Sequence, residues 1–186
     1  MLFGWSVANG QDQRINLTAG NIGISLSLPA GLQPFSEEKM ALVRENSVAA
    51  KFVFSDPKAD LILAINTFGS NADESGLSRL VEEIKAAAEK RSSNVHWITN
   101  SLITMNGKKW LRMSFKGGPE GDELIDEYFV TDWIGEYVLL NFSFTPDKYE
   151  RFESAIQRSA QSVRFALITD DVEAMTGGAK PSSKKH

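Results

Sequence analysis

The 186-residue sequence predicts an α+β fold in which helices flank an antiparallel β-sheet. Long strand patterns follow one another between residues 95 and 144, and an Asn106-Gly107 dipeptide of the type I′ hairpin kind joins two of them. Two helical patterns interrupt the strands without alternating strictly with them. Strict alternation would instead indicate a parallel, nucleotide-binding sheet.

Shorter strands are predicted in the first third of the chain. Residues 22–28 alternate apolar and polar side chains, and Pro29 ends the run because proline has no amide hydrogen for the ladder. Residues 40–44 and 48–54 are predicted as two further strands joined by a tight turn. The strand that begins at Leu61 is apolar on nearly both faces, which predicts a central position in the sheet.

Two helices and four long strands make up the rest of the predicted domain. Apolar residues recur every three or four positions over residues 75–90, after capping oxygens at Asp73. A second helix opens at Thr145-Pro146-Asp147, with threonine predicted as N-cap and proline at the first helical position. The strands lie between the helices, at residues 95–104, 108–115, 123–131 and 137–144.

The chain is divided into a segment over residues 1–14, one domain over residues 15–168 and a disordered basic tail over residues 169–186. Ser6-Val7-Ala8 has the small residues of a signal-peptidase site but no basic region before it. The first segment is therefore interpreted either as the remnant of a signal peptide or as a segment that packs Phe3 and Trp5 on the domain. The predicted localisation depends on this choice. The protein is expected to be periplasmic or secreted in the first case and cytoplasmic in the second.

Composition excludes several classes of function. A net charge of −4 argues against a nucleic-acid partner, and no apolar run is long enough to span a bilayer. The absence of cysteine excludes disulfides, thiolate nucleophiles and thiolate metal sites. The two histidines, His96 and His186, nominate neither a metal site nor a catalytic base. We expect no cofactor and no metal.

The densest acidic cluster, within residues 120–127, does not predict a catalytic site. It matches no EF-hand loop, and a strand there would direct Asp126 and Glu127 to opposite faces. The glycine-rich loop at residues 117–121 lacks the lysine of a phosphate-binding loop. No catalytic residue is nominated and the chain is expected not to be an enzyme. A hydrolase or lyase stays an alternative that would use the cluster Glu120, Asp122, Glu123, Asp126 and Glu127.

Four aromatic residues are the candidate binding residues: Trp97, Trp110, Trp133 and Tyr128. Tryptophan is favoured at contact surfaces, so these side chains could line a groove on the predicted sheet. The alternative is that they are core or cross-strand packing residues.

The order of these pieces resembles the PsbP-like superfold, an α/β/α sandwich around an antiparallel sheet. The resemblance covers residues 15–166. It rests on a strand ending in Leu28-Pro29-Ala30-Gly31, on Asn106-Gly107-Lys108-Lys109-Trp110, on the strand at residues 137–144, and on a closing helix followed by Ser162-Val163-Arg164-Phe165. The superfold is shared by the photosystem protein PsbP, a yeast nuclear-import factor that binds Ran, and bacterial DcrB-type proteins, which include chaperones of type VI secretion effectors.

This resemblance implies binding rather than catalysis, since these groups act by binding other proteins. The metal-binding histidines of PsbP have no counterpart here, so a photosystem role is not implied. We therefore predict a non-enzymatic, protein-binding or chaperone-like domain of a bacterial protein, with a protein partner. The sequence gives no prediction of the oligomeric state. The second alternative is a small-ligand or lipid carrier with an apolar cavity between helix and sheet.

Overall fold

The computed structural model describes residues 12–36, 38, 40, 50–91 and 94–168. Two antiparallel sheets account for most of this part of the chain, one of seven strands and one of three. All strand pairings within both sheets are antiparallel. The predicted fold class, α+β with an antiparallel sheet flanked by helices, is confirmed.

The seven-stranded sheet has the order β3-β4-β5-β9-β8-β7-β6. Strand β5 lies inside this sheet between β4 and β9, as its two apolar faces predicted. The strands are β3 (Gln33–Pro34), β4 (Phe52–Ser55), β5 (Leu61–Ala72), β6 (His96–Met105), β7 (Lys108–Gly117), β8 (Leu124–Trp133) and β9 (Gly135–Phe144).

The three-stranded sheet was not predicted as a separate layer. It consists of β1 (Gln13–Ala19), β2 (Ile22–Leu28) and β10 (Arg164–Leu167), with β2 in the middle. Strand β10 pairs with β2 although the two are far apart in sequence, so local periodicity could not reveal the pairing. Strand β1 begins at Gln13, inside the segment that sequence analysis had separated from the domain.

Two helices are described, α1 (Leu77–Arg91) and α2 (Tyr149–Gln161), each entered through a short 3-10 turn. Helix α1 packs on β7 and β8 at one face of the seven-stranded sheet. Helix α2 packs on β2 and β9 at the other face, which it shares with the three-stranded sheet. The sheet is thus covered on both faces, as in an α/β/α sandwich.

The entries to the two helices use different chemistry. Asp73 Oδ1 accepts a hydrogen bond from the Gly76 amide at 2.8 Å, which confirms the predicted cap before α1. The predicted threonine cap before α2 is wrong in its chemistry. Thr145 has extended backbone at the N-cap position, but its hydroxyl donates to Asp147 Oδ1 at 2.6 Å and receives no amide hydrogen bond.

Two of the predicted short strands differ from the structure. Of the strand predicted at residues 40–44, residues 41–44 lie outside the described residues. The Met40 amide donates to the Ser36 carbonyl oxygen at 2.9 Å, which is a helical contact and not a strand contact. The strand predicted at residues 48–54 is observed only from Phe52 onward, and residues 48 and 49 lie outside the described part. The predicted tail at residues 169–186 also lies outside the described residues.

Candidate functional site

The two edges of the seven-stranded sheet are built differently. At one edge lies β3, a strand of 2 residues that contains Pro34, which has no amide hydrogen to offer another strand. At the other edge lies β6, a strand of 10 residues, and no described strand pairs with its outer side. Natural sheets protect such edges with short strands, proline or charge. The β3 edge is therefore protected. The β6 edge is not protected by short length or by proline.

Charge does not protect the β6 edge either. No lysine, arginine, aspartate or glutamate occurs between Val95 and Asn106. Two large apolar side chains on this strand are exposed, Ile98 at 51% and Leu102 at 49%. A long, uncharged, apolar edge strand is a template for pairing with another polypeptide. It is the feature of the described residues best suited to protein binding.

The ladder between β6 and β7 is regular over most of its length. Pairs run without interruption from Thr99 opposite Ser114 to Met105 opposite Lys108. One register shift lies between Trp97 and Thr99, which leaves Ile98 without a partner across the ladder. The outer edge of β6 is therefore a regular strand from Thr99 to Met105.

Ile98 and Leu102 are not among the residues predicted from the sequence to bind a partner. Both belong to a strand whose existence was predicted, but periodicity does not reveal which strand of a sheet is at its edge. No local signal could have found them: edge strands usually carry charge, so the uncharged stretch around Ile98 and Leu102 is typical of an interior strand.

The four candidate aromatic residues separate into two pairs on opposite faces of the sheet. Trp97 and Tyr128 both contact Phe115 on the α1 face, with ring centroids 4.9 Å and 5.6 Å away. Trp110 and Trp133 both stack on Phe165 on the other face, at 6.0 Å and 5.2 Å. The structure does not bring the four together in one groove.

Their exposure further divides them. The Trp110 side chain is only 1% exposed and Tyr128 is also buried, so both pack in the interior. Trp97 and Trp133 are half-buried. Lys108 Nζ lies 5.3 Å from the centre of the Trp133 ring, over its face, which is cation–π geometry.

The acidic residues at 120–127 do not converge. Asp126 accepts a hydrogen bond from the Ser143 hydroxyl on the α1 face of the sheet, whereas Glu127 lies beneath α2 on the opposite face. Glu123 pairs with Lys116 at 3.3 Å. Asp126 and Glu127 therefore cannot act together on one substrate, and the geometry gives the hydrolase alternative no support.

The most buried charge in the described part of the chain is Glu127, at 1% exposed. Its Oε1 accepts hydrogen bonds from Arg112 Nε at 2.8 Å and Gln157 Nε2 at 3.3 Å, and Arg112 Nη2 lies 2.6 Å from the same oxygen. No described donor reaches Oε2. Burial raises the pKa of Glu127 above the ordinary range of a glutamate, and the charge of Arg112 opposes that shift.

An open cleft of about 330 Å³ lies between the start of α1 and the end of β5. It is lined by the aromatic pair Phe68 and Tyr137, whose ring centroids are 5.5 Å apart, and by the exposed residues Asn71, Arg79 and Glu83. A lipid or other apolar ligand needs enclosing apolar walls. This cleft is open to solvent and lined by charged as well as apolar side chains, so it is not the enclosed apolar cavity that the carrier alternative predicts.

The described residues offer no set of metal ligands. No group of three or more histidine, aspartate and glutamate side chains converges in the part of the chain that the structure describes. His96 is exposed on β6, and His186 lies outside that part. Within the same residues, no helix is long and apolar enough to cross a bilayer.

Solved structures with the same architecture include two of bacterial origin. The solution structure of cyanobacterial PsbP (CyanoP) from Synechocystis matches with a TM-score of 0.63 and 15% identity, over 88% of this chain and 98% of that one. LpqN of Mycobacterium tuberculosis, described as involved in cell envelope biogenesis, matches with a TM-score of 0.54 and 13% identity, over 84% of this chain and 92% of that one. The sequence matches no protein-family model and no curated protein.

At such low identity a structural match establishes the fold alone. It covers nearly the whole of CyanoP and LpqN, so it concerns the complete architecture and not one motif. The predicted resemblance is confirmed at the level of the fold, with the subfamily undetermined. The chain has a PsbP-like fold.

Proposed function

We propose that this chain is a non-enzymatic protein-binding domain that receives an extended polypeptide segment at the outer edge of β6. The observation that carries the proposal is the unprotected edge itself, 10 residues long and free of lysine, arginine, aspartate and glutamate. Main-chain hydrogen bonds would provide affinity, and side chains at alternate positions would provide selectivity.

The exposed apolar side chains define the chemistry of the partner. Ile98 and Leu102 would be covered by apolar side chains of the incoming strand, which buries surface that is now in water. Because β6 contains no lysine, arginine, aspartate or glutamate, it offers none of these charges to pair with a charged segment. The expected partner is therefore an extended, largely uncharged segment with apolar residues at alternate positions.

A chaperone-like role is compatible with this surface. A protein that holds an exposed strand of another chain shields backbone groups that would otherwise promote aggregation.

We also propose that the domain acts outside the cytoplasm. The support is the Ser6-Val7-Ala8 sequence and the involvement in cell envelope biogenesis of LpqN, which shares the fold. Fusion of the chain in its native gene context to a phosphatase that folds only outside the cytoplasm tests this. Phosphatase activity is expected, and an inactive but stable fusion would contradict the proposal.

Site-specific photo-crosslinking tests the binding surface. A photoreactive amino acid replaces Leu102 in the native host, and the same amino acid replaces Leu167 as the matched control, since Leu167 is an apolar strand residue that is 53% exposed. We expect a crosslinked polypeptide, either another protein or a second copy, at position 102 and not at position 167.

The captured polypeptide must then bind the purified domain through the same edge. Leu102→Lys is expected to weaken that binding at least about ten-fold by placing a charge on the edge, whereas Leu167→Lys should leave it within about two-fold. Both variants change exposed positions, so both should fold like the wild type by circular dichroism. Equal weakening by the two, or no effect of Leu102→Lys, would overturn the proposed surface.

A further inference from the structure

The regular part of β6 is centred on Leu102. The unbroken ladder with β7 begins at Thr99, immediately after the register shift, and ends at Met105. Leu102 is the middle residue of that segment. Two copies of a strand that pair antiparallel are related by a two-fold axis, and an axis at Leu102 lets the whole regular segment of one copy pair with that of the other.

The side chains of this segment are compatible with such self-pairing. With the axis at Leu102, Leu102 lies opposite Leu102 of the second copy, which gives an apolar cross-strand pair at the centre. Asn100 lies opposite Thr104 of the second copy, a pair of uncharged polar residues. No like charges oppose each other, because the segment contains no ionised residue.

We propose that the strand received by the β6 edge is β6 of a second copy of this chain, paired antiparallel about a two-fold axis at Leu102. This inference rests on the proposed function and names its partner. The pairing joins two seven-stranded sheets edge to edge and places the exposed Leu102 side chains of the two copies against each other. It leaves the Pro34 edge of each sheet as the outer, protected end.

Edge-to-edge pairing alone buries a small interface, so the dimer is expected to be concentration-dependent. Sedimentation velocity between about 1 µM and about 1 mM covers the range of such weak associations. We expect the weight-average mass to rise toward that of a dimer for the wild type and Leu167→Lys. Leu102→Lys should stay monomeric at least about ten-fold higher in concentration.

The absence of cysteine allows the register to be read directly. Single-cysteine variants are treated with a short bis-thiol crosslinker. Leu102→Cys is expected to crosslink to itself, since opposed β-carbons in an antiparallel pair are about 5 Å apart. Asn100→Cys should crosslink poorly to itself but efficiently to Thr104→Cys in a mixture of the two variants, and Leu167→Cys should not crosslink.

Each outcome decides the inference. Dimers with stronger self-crosslinking at Asn100→Cys than at Leu102→Cys would overturn the axis at Leu102. A wild-type chain that stays monomeric at every concentration would overturn self-pairing altogether. In that case a different protein captured at position 102 in the host would still support the proposed function, so the two failures are distinguishable.

Discussion

Pro34 and Leu102 lie at opposite edges of the same seven-stranded sheet. Pro34 ends the sheet with a residue that cannot donate a main-chain hydrogen bond, in a strand too short to serve as a template. Leu102 lies in the middle of the regular part of a long, uncharged strand and is half exposed. This asymmetry makes the β6 edge the better template of the two for strand addition.

Replacing Arg112 should destabilise the fold more at neutral than at acidic pH. Arg112→Met leaves the buried Glu127 carboxylate without its counter-charge, for which we expect a loss of about 3 kcal/mol in the free energy of unfolding near pH 7. Urea unfolding at about pH 7 and about pH 4 measures the difference.

The direction of the pH dependence follows from the pKa of Glu127. Because burial raises that pKa above its ordinary value, the folded state holds the proton more tightly than the unfolded state does. The stability contributed by Glu127 is therefore complete below the ordinary glutamate pKa and is lost as pH rises through the raised pKa. Arg112→Met removes a charge that lowers the pKa and should enlarge this loss. An equal loss of stability at both pH values would contradict this role of Glu127. In the control Arg112→Met/Glu127→Gln, the part of the pH dependence that comes from Glu127 should disappear.

Ile134 is predicted to be a site of backbone strain that a substitution can relieve. It lies in the turn between β8 and β9 with φ of +44° and is 43% exposed, although β-branched residues disfavour positive φ. Ile134→Asn should raise the free energy of unfolding by about 1 kcal/mol, since asparagine tolerates this conformation. Thermal and urea unfolding test this, and a destabilised variant would show that contacts of the Ile134 side chain outweigh the strain.

The position of Gly76 beside Tyr137 leaves no room for a larger residue. A β-carbon added at Gly76 would lie 1.8 Å from the Tyr137 hydroxyl oxygen, so Gly76→Ala must displace this tyrosine, which lines the cleft. We expect a destabilisation of about 2 kcal/mol. In the Tyr137→Phe background the clashing oxygen is gone and the same change should be milder by about 1 kcal/mol or more in a double-mutant cycle. Strict additivity of the two changes would refute the contact.

Asn106 should matter for more than its turn. Its side-chain amide donates to the Gln161 and Val163 carbonyl oxygens at 2.8 Å and 3.1 Å, which joins the β6–β7 hairpin to the end of α2. Glycine adopts the positive φ of this position equally well, so Asn106→Gly removes the two hydrogen bonds while the turn is retained. The expected destabilisation is about 1–2 kcal/mol by urea unfolding. An unchanged stability would mean that the turn conformation is the whole role of Asn106.

Much of the fold could be predicted because its signals are local. The long strands and both helices follow from periodicity, and the Asn106-Gly107 turn follows from the positive φ observed at both residues. The opposite directions of Asp126 and Glu127 follow from the period of a strand. Strand β10 is 4 residues long and pairs with a distant strand, so no local signal separates it from a loop.

The candidate site depends on relationships that are not local. Which strand is at the edge is decided by the strand order, so the exposed position of Leu102 could not be read from its neighbours. The same holds for Trp97 and Trp110, which were grouped by residue type although the sheet places them on opposite faces. The pair of Arg112 and Glu127 likewise depends on the register between β7 and β8.

Amide hydrogen–deuterium exchange on the domain, alone and with its bound polypeptide, locates the surface that receives the incoming strand. The bound polypeptide is either the captured protein or the chain itself at high concentration. Strand addition at the β6 edge predicts that the largest gain in protection falls within residues 96–105, because the outward amides of β6 acquire acceptors on the incoming strand. A gain confined to the cleft at residues 68–83, with none in β6, would contradict it.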